Sequence, residues 1–271
     1  MDAILDVVKS NQHLRKLTIQ FNIIRDDHIE KLSSIVHNNP LVELDLSYSF
    51  NGPGVGDSIL TTLLASRELE LEILKMRDSR ITSDGGAVMA EFLGANPKMK
   101  RLDVTNNKLN DSDVSLIANS LRSNTTLEFI YLGGGNTTVS LAQVFRPVMF
   151  DDSSLNAAAD SNHICFLGDC TIHESHFILN NSYERYVNRG EKIYSLLSSR
   201  HRTMSNTQYF SDMDVKILPN MLDSIQRYEM IAQSSKDADT LDENQHDVTV
   251  GSLSIVYEVM RKWEKVFCLY E

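Results

Sequence analysis

A chain of 271 residues, 42% apolar and 23% charged, has the composition of a globular protein and length enough for one elongated domain or two small ones. Its formal charge of −11 argues against nucleic acid as the main ligand, because phosphate binding needs clustered Lys and Arg. Three cysteines are too few for a disulfide framework, Asp2 and Asp6 interrupt the apolar start as no signal peptide would, and no apolar run reaches about eighteen residues, so no membrane partner and a cytoplasmic setting (nuclear at most) are expected.

The first segment, DAILDVVKSN, reads as a helix that lacks a strand before it. It serves either as an N-terminal cap or as the start of a truncated gene product. A phrase then begins that recurs down the chain: Leu, two residues, Leu, one residue, Leu, two residues, then Asn or Ser. It reads LRKLTIQFN from Leu14, LVELDLSYS from Leu41, LEILKMRDS from Leu71, MKRLDVTNN from Met99 and LEFIYLGGG from Leu127, with starts 27, 30, 28 and 28 residues apart. A period in this range marks a solenoid, whose repeats cannot bury their apolar faces alone and must stack. The fourth and sixth positions fall on one face of a short strand.

Between the phrases the period becomes helical. DDHIEKLSSIVHNN aligns Ile29, Leu32, Ile35 and Val36; SDGGAVMAEFLGAN aligns Val88, Met89, Phe92 and Leu93; NDSDVSLIANSLRSN aligns Val114, Leu116, Ile117 and Leu121. The openings RDD, TSD and NDSD offer acceptors for the first helical turn. SFNGPGVGD, with three glycines and a proline, reads as a loop excursion that lengthens the second repeat. The ninth-position residues Asn22, Ser49, Ser79 and Asn107 are expected to bond backbone groups where each strand turns inward.

Another 28 residues beyond Leu127 lands on Leu155, so LNAAADSNHIC reads as a degenerate sixth strand with Leu155, Ala158 and Asp160 in the apolar slots. The helix before it, SLAQVFRPVMFDD, reads as interrupted at Pro147. Past residue 175 the repeat is gone. NNSYERYVNRGEKIYSLLSSR predicts a helix burying Ile193, Leu196 and Leu197, and VKILPNMLDSIQRYEMIAQ one with Leu218, Leu222, Ile225 and Tyr228 on a stripe. Residues near 233–250 read as a disordered acidic linker. A last helix with Trp263 and Phe267 on its apolar side is expected to cover the open end of the solenoid. The domains are therefore 1–175, with five clear repeats and a degenerate sixth, and 176–271, a C-terminal helical capping region.

These phrases resemble leucine-rich repeats of the ribonuclease-inhibitor type over about residues 1–165. DSNHIC, RGEKIYSLLSSR, LPNMLDSIQRY and IVYEVMRKWEKVF are similar to the C-terminal region of leucine-rich-repeat proteins of diatoms. The resemblance implies an α/β fold, a right-handed leucine-rich-repeat solenoid with a curved parallel sheet on the concave side, α-helices on the convex side and a C-terminal helical extension. It implies protein binding and no chemistry.

In such a fold the residues between the leucines face outward, with equivalent positions on neighbouring strands about 4.8 Å apart. The fifth positions form the row Thr18, Asp45, Lys75, Asp103, Tyr131, whose opposite charges are expected to pair laterally. The next rows are Gln20, Ser47, Arg77, Thr105, Gly133 and Phe21, Tyr48, Asp78, Asn106, Gly134. Aromatic and Arg side chains are the preferred anchors of interfaces. Gln20, Phe21, Tyr48, Arg77, Asp78, Asn106, Phe129 and Tyr131 are accordingly the expected partner-binding residues.

His163, Cys165, Cys170, His173 and His176 have the residue types of a zinc site, but their spacing is that of no zinc module and Cys165 is expected to enter the core. GGGNTT at Gly133 lacks the Lys and following helix of a phosphate loop, and no Ser or Cys sits in a nucleophile motif. No catalytic residue, metal or cofactor is expected. The leading expectation is a monomeric, non-enzymatic scaffold or regulator that binds another protein. The alternative is a regulator of a small GTPase or other enzyme, since Ran GTPase-activating proteins share this repeat type, although nothing matches them residue by residue beyond the repeats.

Overall fold

The computed structural model describes residues 1–50, 52–65, 69–169, 176–179, 189–201 and 213–223. They fall into two compact units, Met1–Met149 with Asn162–Tyr186, and Phe150–Ser161 with Val187–Glu271. Ile225, Tyr228, the 233–250 segment and the helix around Trp263 lie outside the described residues.

In the first unit, helices and strands alternate as α1 (Asp2–Ser10), β1 (Lys16–Thr18), α2 (Asp26–Asn38), β2 (Glu43–Asp45), α3 (Val55–Leu64), β3 (Ile73–Lys75), α4 (Ser83–Gly94), β4 (Arg101–Asp103), α5 (Asp111–Ser120), β5 (Phe129–Tyr131) and α6 (Leu141–Met149). The strands β1 to β5 pair in parallel, in sequence order, and β6 (Phe166–Asp169) continues them. A final strand, β7 (His176–Leu179), lies antiparallel to β6. The sheet is open, six parallel strands alternating with helices.

Within and just after each strand, the fourth and sixth positions of the phrase point into the core. Leu17 and Ile19, Leu44 and Leu46, Leu74 and Met76, Leu102 and Val104, and Ile130 and Leu132 are all buried there. At the ninth position the polar residues act as read from the sequence. Asn107 Oδ1 accepts from Ser79 N (3.0 Å) and Ile81 N (2.9 Å), while its Nδ2 donates to Met76 O (2.8 Å) and Val104 O (2.7 Å). Ser49 Oγ donates to the carbonyls of Ile19 and Ser47. Asn107 and Ser49 thus each close their own turn and staple the preceding repeat.

The helical stripes are met in α2 (Ile29, Leu32, Ile35, Val36) and largely in α4, where Val88 is only half-buried. Leu116 is a correction: it is exposed on α5, two residues and about 200° round the helix from buried Val114, and Ala118 takes its place in the core. The helix openings also differ. Asn110 caps α5, accepting from Ser112 N (2.8 Å) and Asp113 N (3.2 Å). For α4, however, the acceptor comes from the previous repeat: Asp57 of α3 takes Thr82 N (2.8 Å), Thr82 Oγ1 (2.8 Å) and Gly85 N (3.2 Å). Asp111 of α5 does the same for Thr138 Oγ1 (2.5 Å), Thr138 N (2.8 Å) and Val139 N (3.2 Å), and these bonds, the Thr138 hydroxyl's first, hold its carboxyl below the usual carboxylate range.

In SFNGPGVGD, residues 52–54 form a turn and the last three residues already belong to α3. Gly56 allows this, since a Cβ there would stand 2.0 Å from Ser79 O. Pro147 lies inside α6, which runs on to Met149.

The sixth strand is not where a constant period places it. Leu155–Asp160 is a helix, α7, and the sixth parallel strand begins at Phe166. Asn162 shows how the repeat resumes: its Oδ1 accepts from Cys165 N (2.7 Å) and its Nδ2 donates to Leu121 O (2.7 Å). Asn124 does the equivalent work one repeat earlier, accepting from Leu127 N (2.8 Å) and donating to Leu93 O (2.8 Å). Cys165 therefore occupies the slot of Leu127, and residues 150–161 are an insertion that belongs to the second unit.

That second unit has its own core: Leu155, Ala158 and Ala159 of α7 against Ile193, Tyr194, Leu196 and Leu197 of α8 (Arg189–His201), with Met213, Ile217 and Met221. The stripe after residue 213 is thus Met213, Ile217, Met221, and Leu222 is exposed. A 3-10 turn at Val215–Ile217 sets this phase ahead of the helical residues 218–223. Among the described residues no helix is long and apolar enough to cross a membrane.

Candidate functional site

Strand register fixes which side chains meet on the sheet face opposite the buried leucines. Lys16, Glu43, Ile73, Arg101, Phe129 and Phe166 form one row, and Thr18, Asp45, Lys75, Asp103, Tyr131 and Gly168 the next. Beyond the strands the backbone ladder continues into the row of Gln20, Ser47, Arg77, Thr105 and Gly133, with Tyr48 N donating to Arg77 O (2.9 Å) and Asp78 N to Thr105 O (3.0 Å). The chain then turns away through Phe21, Tyr48, Asp78, Asn106 and Gly134, all with positive φ.

A depression of about 420 Å³ opens on this face, lined by Gln20, Phe21, Asp45, Ser47, Tyr48, Lys75, Arg77, Arg101, Asp103 and Tyr131. Phe21 and Tyr48 stack in parallel at one end, ring centroids 4.8 Å apart and planes 2° from coincidence. Phe21 is 75% exposed, so this stack faces solvent. At the other end Arg101 lies 4.7 Å from the Phe129 ring centroid and 5.9 Å from that of Tyr131. Phe129 in turn meets Phe166 at 5.6 Å. Tyr131 packs over Gly168, where a Cβ would stand 2.4 Å from the ring.

The charges do not pair along the row as read from the sequence. Lys75 reaches Glu43 instead (2.8 Å), which also takes Lys16 (3.0 Å). The hydrogen bond from Lys75, seconded by Lys16, holds the Glu43 carboxyl below its ordinary range against the opposing effect of burial. Arg77 places Nε and Nη2 each 2.6 Å from Asp103 Oδ2, and Gln20 Nε2 donates to Asp45 Oδ2 (2.6 Å). The reason is strand geometry. Long side chains reach diagonally across about 7 Å to a neighbour two positions along, while Asp45 and Asp103 are short and turn back to Ser47 N and Thr105 N.

Of the expected binding residues, the fold brings Gln20, Phe21, Tyr48, Arg77 and Tyr131 around the depression. Asp78 and Asn106 stand in the turn row at its rim, and Phe129 supports it through Arg101. Lys75 and Arg101 were not among them. Their signal was present, because Arg101 precedes Asp103 by two residues and so shares its strand face. Cys165 is fully buried in the repeat core, and burial pushes its thiol up to about 12, the behaviour of an inert core thiol. Cys170 and His173 lie outside the described residues.

A family model described as "Leucine Rich repeat" matches residues 95–118, the stretch from the loop after α4 through β4 into α5. The matched unit is a leucine-rich repeat. Human NACHT, LRR and PYD domains-containing protein 12 is 32% identical to this chain over 114 residues, 41% of the chain. The chain spans 11% of that protein's length. The solved structure of Leiomodin-1 Actin-Binding Site 2 (ABS2) overlaps 76% of this chain and 92% of its own, at 11% identity and a TM-score of 0.35. The six parallel strands carry, on the face away from the helices, an aromatic pair, a cation held by aromatic rings and a shallow cavity between them.

Proposed function

We propose that the chain is a non-enzymatic interaction module that binds another protein through the open face of its repeat sheet. The observation that carries this reading is the exposed Phe21–Tyr48 stack. Both residues sit in the left-handed backbone region, which disfavours bulky side chains by about 1–2 kcal/mol each. Asn106 and Gly134 show what that turn accepts without strain. Large apolar rings held there at a cost, in solvent, suit a surface that gains its stability from contact.

We also read the repeats as being of the ribonuclease-inhibitor type, a reading supported by the full helices α2 to α5, of 13, 10, 12 and 10 residues. The excess of negative charge favours a protein over a nucleic acid as the partner.

The test is affinity capture from native extract with the whole chain as bait and quantitative mass spectrometry as readout. Tyr48→Ala is expected to lose specific partners that Leu116→Ser, on the exposed side of α5, retains. Capture untouched by Tyr48→Ala, with both variants folded, would remove the open face from consideration.

A further inference from the structure

The charges of the open face are sorted by depth. Asp45 and Asp103 are 4% and 2% exposed, while the Lys75 and Arg77 side chains are 26% and 39% exposed. The acids are also spent internally. Asp103 Oδ1 accepts from Thr105 N (3.3 Å) and Oγ1 (2.8 Å), and its Oδ2 is held by Arg77. Asp45 Oδ1 accepts from Ser47 N (3.1 Å) and Oδ2 from Gln20. Glu43 sits between two lysines.

Arg101 is different again. Among the described residues it forms no ion pair. The faces of Phe129 and Tyr131 hold it instead. A guanidinium held over ring faces still has N–H donors to offer, and its fork fits a carboxylate in two parallel bonds.

We propose that the open face takes an acidic segment of its protein partner, with a carboxylate seated on Arg101 and neighbouring ones against Lys75 and Arg77. The inference rests on the open-face reading above and adds the chemical class of the partner. It holds despite the −11 total, because charges elsewhere on the chain are screened beyond about 8–10 Å at physiological salt, whereas the cations of the depression meet the ligand directly. Asp78, the exposed acid in the turn row, lies outside the lining and sets the edge of the acidic footprint.

The experiment uses the full chain and two fluorescein-labelled peptides that alternate Phe and Gly with either Glu or Lys, read by fluorescence polarisation beside a labelled single-stranded oligonucleotide. The Glu peptide is expected to bind at least about tenfold more tightly than the Lys peptide, and Arg101→Gln to weaken it by about tenfold. Arg101→Lys, which keeps the charge and loses the fork, should fall between. Leu116→Ser should bind as the wild type does.

Equal binding of the two peptides, binding of neither, indifference to Arg101→Gln, or preference for the oligonucleotide each overturns the acidic-partner assignment. If neither peptide binds while Tyr48→Ala still abolishes capture, the assignment falls and the open-face reading stands. If capture survives Tyr48→Ala, the open-face reading itself falls.

Discussion

At the eighth position of the repeats, Phe21, Tyr48, Asp78, Asn106 and Gly134 have φ of 54°, 59°, 47°, 58° and 70°. One turn geometry is imposed on five different side chains, because each strand must end in the same inward bend to stack on the next. Asn, Asp and Gly reach that region readily and aromatic residues do not. Phe21→Asn should therefore leave stability within about 1 kcal/mol of wild type, the strain relieved offsetting the stacking lost, while partner capture weakens. A urea melt read against a capture assay checks both halves. Asn107→Ala is the opposite case, leaving the Ser79 and Ile81 amides and two carbonyls buried without their partner. A loss of about 3 kcal/mol in the same melt is expected. The sequence placed Asn107 correctly, since a short polar residue after a buried strand has few other tasks. It did not reveal the left-handed φ values of Phe21 and Tyr48, because neither residue type advertises that conformation.

At the scale of elements, helix openings are shared between repeats. Asp57 of α3 satisfies the start of α4, so removing it should loosen a neighbouring helix and leave its own intact. Asp57→Ala is expected to cost about 2 kcal/mol, with hydrogen exchange rising first at residues 82–86. Such a link is illegible in one sequence, because TSD offers a local cap and the acceptor used lies 25 residues earlier. In α8, Lys192 is buried, and desolvation lowers its pKa from 10.5 to about 7. Below pH 7 both folded and unfolded chains carry its charge and the cost of burying it is felt in full. Between pH 7 and 10.5 the unfolded chain holds the extra proton, so the stability of this unit should rise with pH. Lys192→Met should remove that slope, as denaturant melts at pH 7 and pH 9 would show.

Across the molecule, the spacing of the leucines made five repeats and their face residues readable, since a solenoid writes its contacts into its period. The sixth escaped because a constant step was carried past Leu127, into an insertion whose helix, α7, packs with α8. The clue was not a leucine but the pair Ser161-Asn162, which matches Ser123-Asn124 and restarts the phrase three residues before Cys165. Arg101 was passed over although the repeat alignment already set it beside Phe129: its worth lies in its contact with the rings of Phe129 and Tyr131 on the adjacent strand, which no single residue type announces. What the repeats assemble is a sheet face with aromatic ends and a cationic surface, and its role as the contact surface is the central claim. A photo-crosslinking amino acid placed at position 48, and in a second protein at the exposed helix position 116, tests it most directly in native extract. A discrete, competable protein adduct is expected from position 48 and none from position 116; an adduct from 116 with none from 48 would contradict the open face as the contact surface.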